Sequence, residues 1–282
     1  MLTVLPDGSV TPATTLRTRL TQYLARNLRT APATVAPDTA LVSFTFDDAP
    51  VCACTTGAAM LDGHGARATY YISGGLIGRR DRYWVAADDG HLAALHAVGH
   101  EIGSHTHAHA FVPGLDATAI VAESRRNRDR LRAAVPGLTP ENFAFPYGFG
   151  SVTAKRVLAG LYRTSRGIVP GLNVGRTDLQ FLRANPLADV STDAERIARL
   201  MDAALARKAW LIFYGHDVVD RPSPFGCTPG LLEAALRLAR ARGMPCVTVA
   251  EGLRRAVPAS RRPRGSAPAA PSAGGALADP PR

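Results

Sequence analysis

The sequence has few of the residues that mark several common protein classes. Only four of its 282 residues are cysteine, and 6% are aromatic. Four cysteines are too few for a disulfide framework in a chain of this length. Cys52 and Cys54 form a C-x-C pair, which is not zinc-finger spacing and has no matching pair downstream. We therefore expect these cysteines to be ordinary buried or partly buried thiols, with a metal or redox pair at Cys52 and Cys54 as the weaker alternative.

Long apolar runs are also missing from the sequence. No stretch approaches the length that crosses a bilayer, so no membrane span is predicted. Residues 1–7 lack the basic and apolar regions of a signal peptide. This pattern predicts a cytoplasmic location.

Acidic side chains are outnumbered, with 23 Asp and Glu against 33 Lys and Arg and a net charge of +10. A basic chain can bind nucleic acid. Here the arginines are spread along predicted helices such as 123–130, without the interleaved aromatic residues of a base-stacking surface. We predict a solvated basic face and no nucleic-acid partner, with attraction to an acidic polymer as the weaker alternative.

The composition is globular, with 46% hydrophobic residues, and it changes twice along the chain. Residues 1–38 mix one amphipathic segment with Pro- and Thr-rich stretches, and we predict an N-terminal extension. Residues 39–257 alternate β-branched runs with helical patterns, and we predict the main domain. Residues 258–282 are rich in Pro, Ala, Gly and Arg without periodicity, which predicts a disordered tail.

The alternation of strands and helices predicts an α/β fold with a parallel sheet. Eight strand candidates in about 215 residues favour a distorted (β/α) barrel of seven or eight parallel strands. One helix is missing between the fifth and sixth strands. The predicted strands are 41–46, 68–72, 101–104, 143–145, 162–165, 180–184, 210–214 and 246–249. The predicted helices are 55–63, 84–98, 116–134, 151–160, 191–207 and 229–242, with Ser191 and Thr228 as N-cap candidates.

Polar motifs follow four of these strands. They are Asp47-Asp48, the histidine-rich run 105–109, the Pro-Tyr-Gly turn at 146–148, and His216-Asp217. In a (β/α) barrel the loops after the strands gather on one face, where active sites lie. The sequence therefore predicts an active site at the carboxyl ends of the strands.

Asp48, His105 and His109 form a candidate set of metal ligands, since a catalytic zinc takes three protein ligands. On a helical turn, residues i and i+4 share a face, which favours His105 with His109 over His107. On an extended strand all three histidines share a face, and the choice stays open. Gly103 and the polar residues after it favour the turn. We predict a divalent metal, Zn²⁺ first, with Co²⁺ or Ni²⁺ as alternatives.

The remaining polar residues fit the other roles in a hydrolysis. With Asp48 on the metal, Asp47 is free to act as a base toward a water whose pKa the metal lowers to about 7. His216 is the candidate acid, because histidine titrates near neutral pH. The turn at 146–148 would present the backbone amide of Tyr147 to a developing negative charge.

In their order along the chain, these motifs resemble those of the polysaccharide deacetylases, which are carbohydrate esterases with a NodB-like domain. The resemblance spans about residues 41–252 and rests on Thr45–Asp48, His105-x-x-x-His109, Phe143–Gly148 and Leu211–His216. It implies a NodB-like distorted barrel and metal-dependent removal of acetyl groups from an N- or O-acetylated sugar. It also implies the roles given above for Asp47, Asp48, His105, His109, Tyr147 and His216, and a bacterial source.

The sequence departs from this family in two places. The family's third motif usually carries an arginine that pairs with the catalytic base, and here Ala144 occupies that position. Arg183 is the candidate replacement from another strand. The family's fourth motif is not recognisable, so the residue that orients His216 is open, with Asp217 and Asp178 as candidates.

Two other functions are compatible with the motifs. One is hydrolysis of a small non-sugar amide, and the other is a metal-binding pseudoenzyme that only recognises carbohydrate. Asp47 and His216 argue against the pseudoenzyme, since binding alone needs neither. The few aromatic residues leave no clear platform for a long glycan and favour a short oligosaccharide, glycolipid or nucleotide-linked sugar. The sequence does not predict the oligomeric state.

Overall fold

A seven-stranded sheet forms the centre of the protein, whose computed structural model describes residues 2–4, 10–12 and 15–257. Every neighbouring pair of strands in this sheet is parallel. In spatial order the strands are β10 (Asn185–Pro186), β11 (Trp210–Gly215), β4 (Leu41–Asp47), β5 (Thr69–Ile72), β6 (Glu101–Ser104), β7 (Asn142–Ala144) and β8 (Thr164–Arg166). This confirms the predicted α/β fold and its parallel sheet.

The two edges of the sheet are joined by one segment, 179–186. Leu182 donates its N–H to Ser165 O on β8 and accepts from Gly167 N–H, at 2.8 and 3.0 Å. A few residues later Asn185 pairs with Phe213 of β11. The predicted strand 180–184 is therefore wrong as a single strand. Of its residues only Leu182 forms a bridge, to Arg166 of β8, and the short β10 begins after it at Asn185.

The central strand β4 is buried along its whole length. Parallel strands covered by helices on both faces consist of almost continuous apolar residues, as in Leu41 to Phe46. On one side Phe44 stacks with Phe213 of β11 at 5.7 Å. On the other side the Trp210 indole donates to Ser43 Oγ at 3.0 Å. The core thus fixes the strand that ends at the first aspartate.

Eight helices surround the sheet in the described part of the chain. They are α1 (Leu16–Asn27), α2 (Ala58–Gly63), α3 (Asp89–Ala97), α4 (Ala117–Ala134), α5 (Val152–Leu158), α6 (Ala194–Arg207), α7 (Pro229–Ala241) and α8 (Val249–Ala256). Within these residues, no helix is both long enough and apolar enough to cross a membrane.

Side-chain caps set the starts of most of these helices. Thr228 caps α7 with proline at its first position, which confirms that prediction. The predicted cap Ser191 is wrong, because Asp193 accepts the Arg196 N–H and α6 begins after it. Asp193, two residues after Ser191, also offers a side-chain oxygen that can cap a helix. The local sequence does not indicate which of the two residues is the cap.

Two further predictions for elements are wrong. The strand predicted at 246–249 is reduced to one bridge between Cys246 and Val42, because α8 begins at Val249. The helix predicted at 84–98 begins only at Asp89. The residues before it form a loop that bridges to Pro50 and Arg80. This loop carries Trp84 toward the carboxyl end of β4.

The segment before the main sheet packs on its side. Two small antiparallel sheets lie outside the main one, β1 (Leu2–Val4) with β2 (Val10–Pro12) and β3 (Pro32–Val35) with β9 (Gly175–Asp178). The buried Lys155 ammonium pairs with Asp178 at 2.6 Å and donates to the carbonyl groups of Ala25 and Leu28 at the end of α1. The predicted tail 258–282 lies outside the described residues.

Candidate active site

The predicted site residues meet at the carboxyl ends of neighbouring strands. Asp47 ends β4, His105 follows β6, and His216 follows β11, which pairs directly with β4. The backbone after these strands is sharply turned. Within the described residues, five of the six non-glycine residues with positive φ lie here: Asp48, Ala49, Thr106, His109 and Tyr147. Such conformations persist only where the surroundings impose them, and they often mark functional sites.

Asp48, His105 and His109, the candidate metal ligands, form one compact group, which we call the metal group. Their ligating atoms all lie within 4.8 Å of one another. Asp48 Oδ1 is 3.9 Å from His105 Nε2 and 3.5 Å from His109 Nε2. The same oxygen is buried and has no hydrogen-bond partner among the described residues.

The tautomer of His105 makes this group fit a cation. His105 Nδ1 lies 2.8 Å from the carbonyl oxygen of Ala144, which can only accept, so Nδ1 carries the proton. The lone pair of Nε2 therefore faces the Asp48 carboxylate. Burial lowers the pKa of His105 to about 4, so the ring is neutral near pH 7. A lone pair on the Asp48 oxygen and one on His105 Nε2 repel each other when no proton lies between them. A divalent metal bound by both atoms would remove that repulsion.

The structure also shows why His107 is outside this group. The carbonyl of His107 accepts from Gly75 N–H at 2.8 Å, and its own N–H donates to Glu123 at 3.0 Å. The segment 105–109 is neither a helical turn nor a strand, since Thr106 and His109 adopt positive φ. The predicted pair of histidines comes together through these two left-handed residues and not through helical spacing.

Asp47 is held by Arg166, which is the partner that the sequence did not identify. Arg166 Nη2 donates to both oxygens of Asp47, at 2.5 and 2.6 Å, and both side chains are buried. Burial acts to raise the pKa of Asp47, but Arg166 with the neighbouring histidines outweighs it, and the pKa is lowered. The guanidinium lies between the rings of Tyr71 and Tyr214, at 5.1 and 5.4 Å.

Arg183, the predicted replacement, lies elsewhere. Its side chain is exposed and donates to the carbonyl of Pro170. Arg166 is instead the Cα partner of Ala144 across β7 and β8, so the guanidinium comes from the strand next to the usual one. The predicted strand 162–165 ended one residue before Arg166. An arginine at the carboxyl end of that strand was the available signal.

The turn after β7 presents a backbone amide. Tyr147 has φ 58° and ψ 8°, and Gly148 follows with φ 70°. A side chain at Gly148 would meet Ile168 at 2.1 Å, so the turn requires glycine there. The Tyr147 N–H has no acceptor in the described part of the chain. The Tyr147 ring lies 4.5 Å from that of His109, so this residue adjoins the group of Asp48, His105 and His109.

His216 is oriented by a backbone carbonyl. Its Nδ1 lies 3.3 Å from the oxygen of Phe225. Neither carboxylate candidate reaches it: Asp217 accepts from Ser223, and Asp178 pairs with Lys155. Both predictions for this partner are therefore wrong. The carbonyl fixes the tautomer as a carboxylate would, and it leaves Nε2 for a substrate.

Aromatic rings surround His216 and were not foreseen as a platform. The Trp84 ring lies 5.3 Å from the imidazole and the Phe225 ring 5.7 Å from it. Tyr83 adjoins both aromatic rings. Beside them lies a cavity of 850 Å³ whose lining includes Trp84 and Cys52. Tyr83 and Trp84 are neighbours, but Phe225 and His216 come from a loop far away in sequence, so no local pattern indicates the cluster.

The four cysteines do not form disulfides, and none belongs to the metal group. Cys54 and Cys227 are buried, and burial raises the pKa of the Cys227 thiol to about 12. Cys52 is half-buried at the edge of the cavity. The expectation of ordinary thiols agrees with these surroundings.

Residues 34–163 match the sequence model of a family described as polysaccharide deacetylase. A chitin deacetylase from a Pestalotiopsis species is 30% identical over 119 residues, covering 42% of this chain and 38% of that protein. A chitin deacetylase from Arthroderma benhamiae is 28% identical over 120 residues, covering 43% and 31%. The matched segment thus spans well under half the length of these relatives. Both are fungal and give no support to the expected bacterial source.

Solved structures share the fold over a larger part of the chain. The chitin deacetylase of Colletotrichum lindemuthianum has a TM-score of 0.58 and 20% identity, covering 77% of this chain and 89% of that one. A family 4 acetyl xylan esterase from Clostridium thermocellum, in complex with cobalt, has a TM-score of 0.54 and 24% identity, covering 76% and 90%. These likenesses confirm the NodB-like distorted barrel.

Proposed function

We propose that this chain, which resembles the polysaccharide deacetylases in sequence over residues 34–163 and in fold over a larger part, is a metal-dependent hydrolase that removes acetyl groups from an N- or O-acetylated sugar. The observation that supports this most strongly is the separation of two adjacent carboxylates. Asp48 faces two histidines, whereas Asp47 is held by a guanidinium. A site with both arrangements can bind a metal through Asp48 and transfer a proton through Asp47.

Asp48, His105 and His109 would hold the metal, and a set of one oxygen and two nitrogens suits Zn²⁺, with Co²⁺ or Ni²⁺ as alternatives. A divalent metal held there would polarise the acetyl carbonyl and acidify a water. The carbonyl of Ala144 keeps the His105 lone pair directed toward Asp48. This hydrogen bond is the kind of support that orients metal-ligating histidines in proteins.

Asp47 is the proposed base. It takes the proton from the attacking water on a carboxylate oxygen, and Arg166 keeps that carboxylate ionised and fixed in direction. Arg166 also makes Asp47 a weaker base than a free carboxylate. The two hydrogen bonds from Arg166 therefore hold the Asp47 carboxylate in place and keep it ionised, and they do not increase its affinity for a proton.

Tyr147 and His216 act on the acetyl group and the leaving group. The unpaired Tyr147 N–H donates to the acyl oxygen as that oxygen gains negative charge. His216 donates a proton from Nε2 to the departing nitrogen or oxygen, while Phe225 O holds Nδ1. The rings of Trp84 and Phe225 shield the imidazole and offer a stacking surface for a sugar.

Acetate release from a panel of acetylated sugars tests this function. The panel includes N- and O-acetylated oligosaccharides and a small non-sugar acetamide, each assayed with chelator and after adding Zn²⁺ or Co²⁺. We expect release from sugars that stops on metal removal and returns on metal addition. Release only from the acetamide would favour the amidohydrolase alternative, and release that survives thorough chelation would contradict the mechanism. The cytoplasmic location stays a prediction.

A further inference from the structure

Helix α1 turns its apolar side toward solvent. The two buried residues on it are Gln22 and Ala25, on the side that packs against α5 and the loop of Gly150. Five large apolar side chains on α1 and its C-cap are between 36% and 84% exposed. These five, which we call the apolar stripe, are Leu16, Leu20, Tyr23, Leu24 and Leu28. They recur at helical spacing on the side opposite Ala25.

The other amphipathic helices of the protein have the usual orientation. In α6 the buried residues include Ile197 and Met201, and in α7 they include Leu232 and Leu236. A contiguous exposed apolar surface is uncommon on a soluble domain and generally marks a contact surface. The apolar stripe is therefore not explained by packing within the described residues.

A cavity lined by arginines adjoins the end of this helix. It has a volume of 430 Å³, and Arg26, Asn27 and Arg29 at the end of α1 form one wall. The other guanidinium groups in its lining are those of Arg176, Arg183 and Arg207. We call these five arginines the arginine cluster. None of them forms an ion pair with a carboxylate in the part of the chain that the structure describes.

The one carboxylate in this cavity does not offset the cluster. Asp178 is buried and already pairs with the Lys155 ammonium at 2.6 Å. It also accepts backbone N–H groups from Thr30 and Ala31, at 3.1 and 3.0 Å. Five guanidinium groups around one concave surface thus have no carboxylate partner among the described residues, although Arg183 also donates to the Pro170 carbonyl. Guanidinium groups suit phosphate oxygens particularly well.

From this combination we infer that α1 and the arginine cluster form a docking surface for an anionic phospholipid membrane. The cluster binds lipid phosphates, and the apolar stripe enters the boundary between headgroups and acyl chains. A soluble polyanion would use the arginines but not five exposed apolar side chains. A purely apolar protein partner would not need the five unpaired cations. Only a surface that is anionic outside and apolar just beneath fits both features.

The docking surface is joined to the active-site loops. Gln22 Nε2 donates to the carbonyl of Gly150 at 2.8 Å, two residues beyond the Pro-Tyr-Gly turn. Ala25 packs in the same apolar cluster as Phe143 and Phe145, which precede that turn. A membrane that holds α1 therefore lies near the loop of Tyr147. This inference does not depend on the reaction, because it concerns binding alone.

Flotation of the full chain with lipid vesicles tests the inference. One set of vesicles is phosphatidylcholine alone, and the other contains about one third phosphatidylglycerol, a typical anionic lipid. We expect binding to the anionic vesicles only, weakened by salt. Two double variants, Arg176→Gln/Arg207→Gln and Leu20→Gln/Leu24→Gln, are each expected to weaken it by about tenfold or more. Circular dichroism checks that both variants are folded.

Matched substitutions outside the surface provide the controls. Arg125→Gln/Arg240→Gln removes the same charge from two other helices, and Leu205→Gln replaces an exposed leucine of α6. Both are expected to bind vesicles as the natural chain does. Equal binding to neutral and anionic vesicles, or control losses as large as those of the test variants, would overturn the inference.

Two alternative occupants would also give distinct results. If a second copy covers the apolar stripe, sedimentation should show a dimer that Leu20→Gln/Leu24→Gln converts to monomer, with no vesicle binding. If the arginines serve a soluble polyanion, heparin should bind that variant unchanged while vesicles do not bind the natural chain. Either result would reject the membrane surface.

Discussion

At the scale of single residues, the site depends on a difference between two neighbours of the same type. Asp47 and Asp48 are adjacent, yet the first points to Arg166 and the second to two histidines. The positive φ of Asp48 turns the chain between them. The Arg166 guanidinium therefore sets the ionisation and the direction of the Asp47 carboxylate and does not act directly on the metal group.

Removing the Arg166 guanidinium is expected to lower both the stability of the protein and its turnover rate. Arg166→Gln leaves the Asp47 carboxylate, only 4% exposed, without its charge partner. We expect the free energy of unfolding to fall by about 3–5 kcal/mol. The turnover rate is expected to fall by about 100-fold or more, because the base is no longer fixed. Urea unfolding and acetate release measure the two effects.

A control and a rescue make this prediction specific. Arg163→Gln breaks a partly exposed pair with Glu141 and should cost less than about 1 kcal/mol. In an Arg166→Ala background, Ala144→Arg returns a guanidinium from the paired position on β7. We expect part of the stability and turnover to return. A double variant no better than Arg166→Ala alone would contradict the proposed equivalence of the two positions.

At the scale of elements, the strand ends are kept in place by a helix behind them. Asn127 of α4 is fully buried and links the ends of two neighbouring strands. It donates to Ile72 O at the end of β5 and to Ser104 Oγ at the end of β6, at 2.9 and 2.8 Å. It also accepts from Gly74 N–H. Since His105 follows Ser104, this one amide fixes the backbone from which His105, a proposed metal ligand, projects.

Asn127→Ala is expected to loosen this arrangement. The substitution leaves buried donors and acceptors without partners, so the free energy of unfolding should fall by about 2–4 kcal/mol. Zinc binding should weaken as well, because the strand end that precedes His105 loses a hydrogen bond. Asn27→Ala, which removes a surface amide bonded only to Tyr23 O, is the control. A loss for Asn127→Ala as small as that of the control would contradict this role.

The elements also show what the sequence predicts and what it does not. The apolar runs of β4 and β11 predict buried parallel strands, and the structure confirms them. The closure through 179–186 depends on hydrogen bonds to two distant edges, which no local pattern contains. The role of Arg166 could not be predicted for the same reason, because it depends on the pairing of Arg166 with Ala144 across β7 and β8.

At the scale of the whole molecule, buried titratable groups tie stability to pH. His100 is 2% exposed, and Ala68 N–H donates to its Nδ1 at 3.0 Å, so the proton sits on Nε2. Burial lowers the pKa of His100, and the attraction of Asp62 only partly opposes this. The folded protein therefore holds a neutral ring where the unfolded chain already takes up a proton.

The sign of the pH effect follows from this difference. An unfolded histidine titrates near pH 6.5, so the stabilisation is complete above that pH and is lost as the pH falls below it. His100→Asn keeps an acceptor for Ala68 N–H and removes the proton site. We expect the loss of stability between pH 6.5 and 5.5 to be smaller in this variant than in the natural chain. Unfolding by urea at several pH values measures it.

His96→Asn, which replaces an exposed histidine at the end of α3, is the matched control for that series. The control should follow the natural chain at every pH. A His100→Asn series that runs parallel to the natural chain would show that His100 does not carry this part of the pH dependence.

The central claim is that the two adjacent aspartates have separate functions, and one paired measurement of zinc content and acetate release tests it most directly. We predict that Asp47→Asn retains about one zinc per chain, as one three-ligand site requires, and loses acetate release by about 100-fold or more. Asp48→Ala should lose both. If Asp47→Asn keeps full activity, or loses zinc together with activity as Asp48→Ala does, the division between base and metal ligand is wrong.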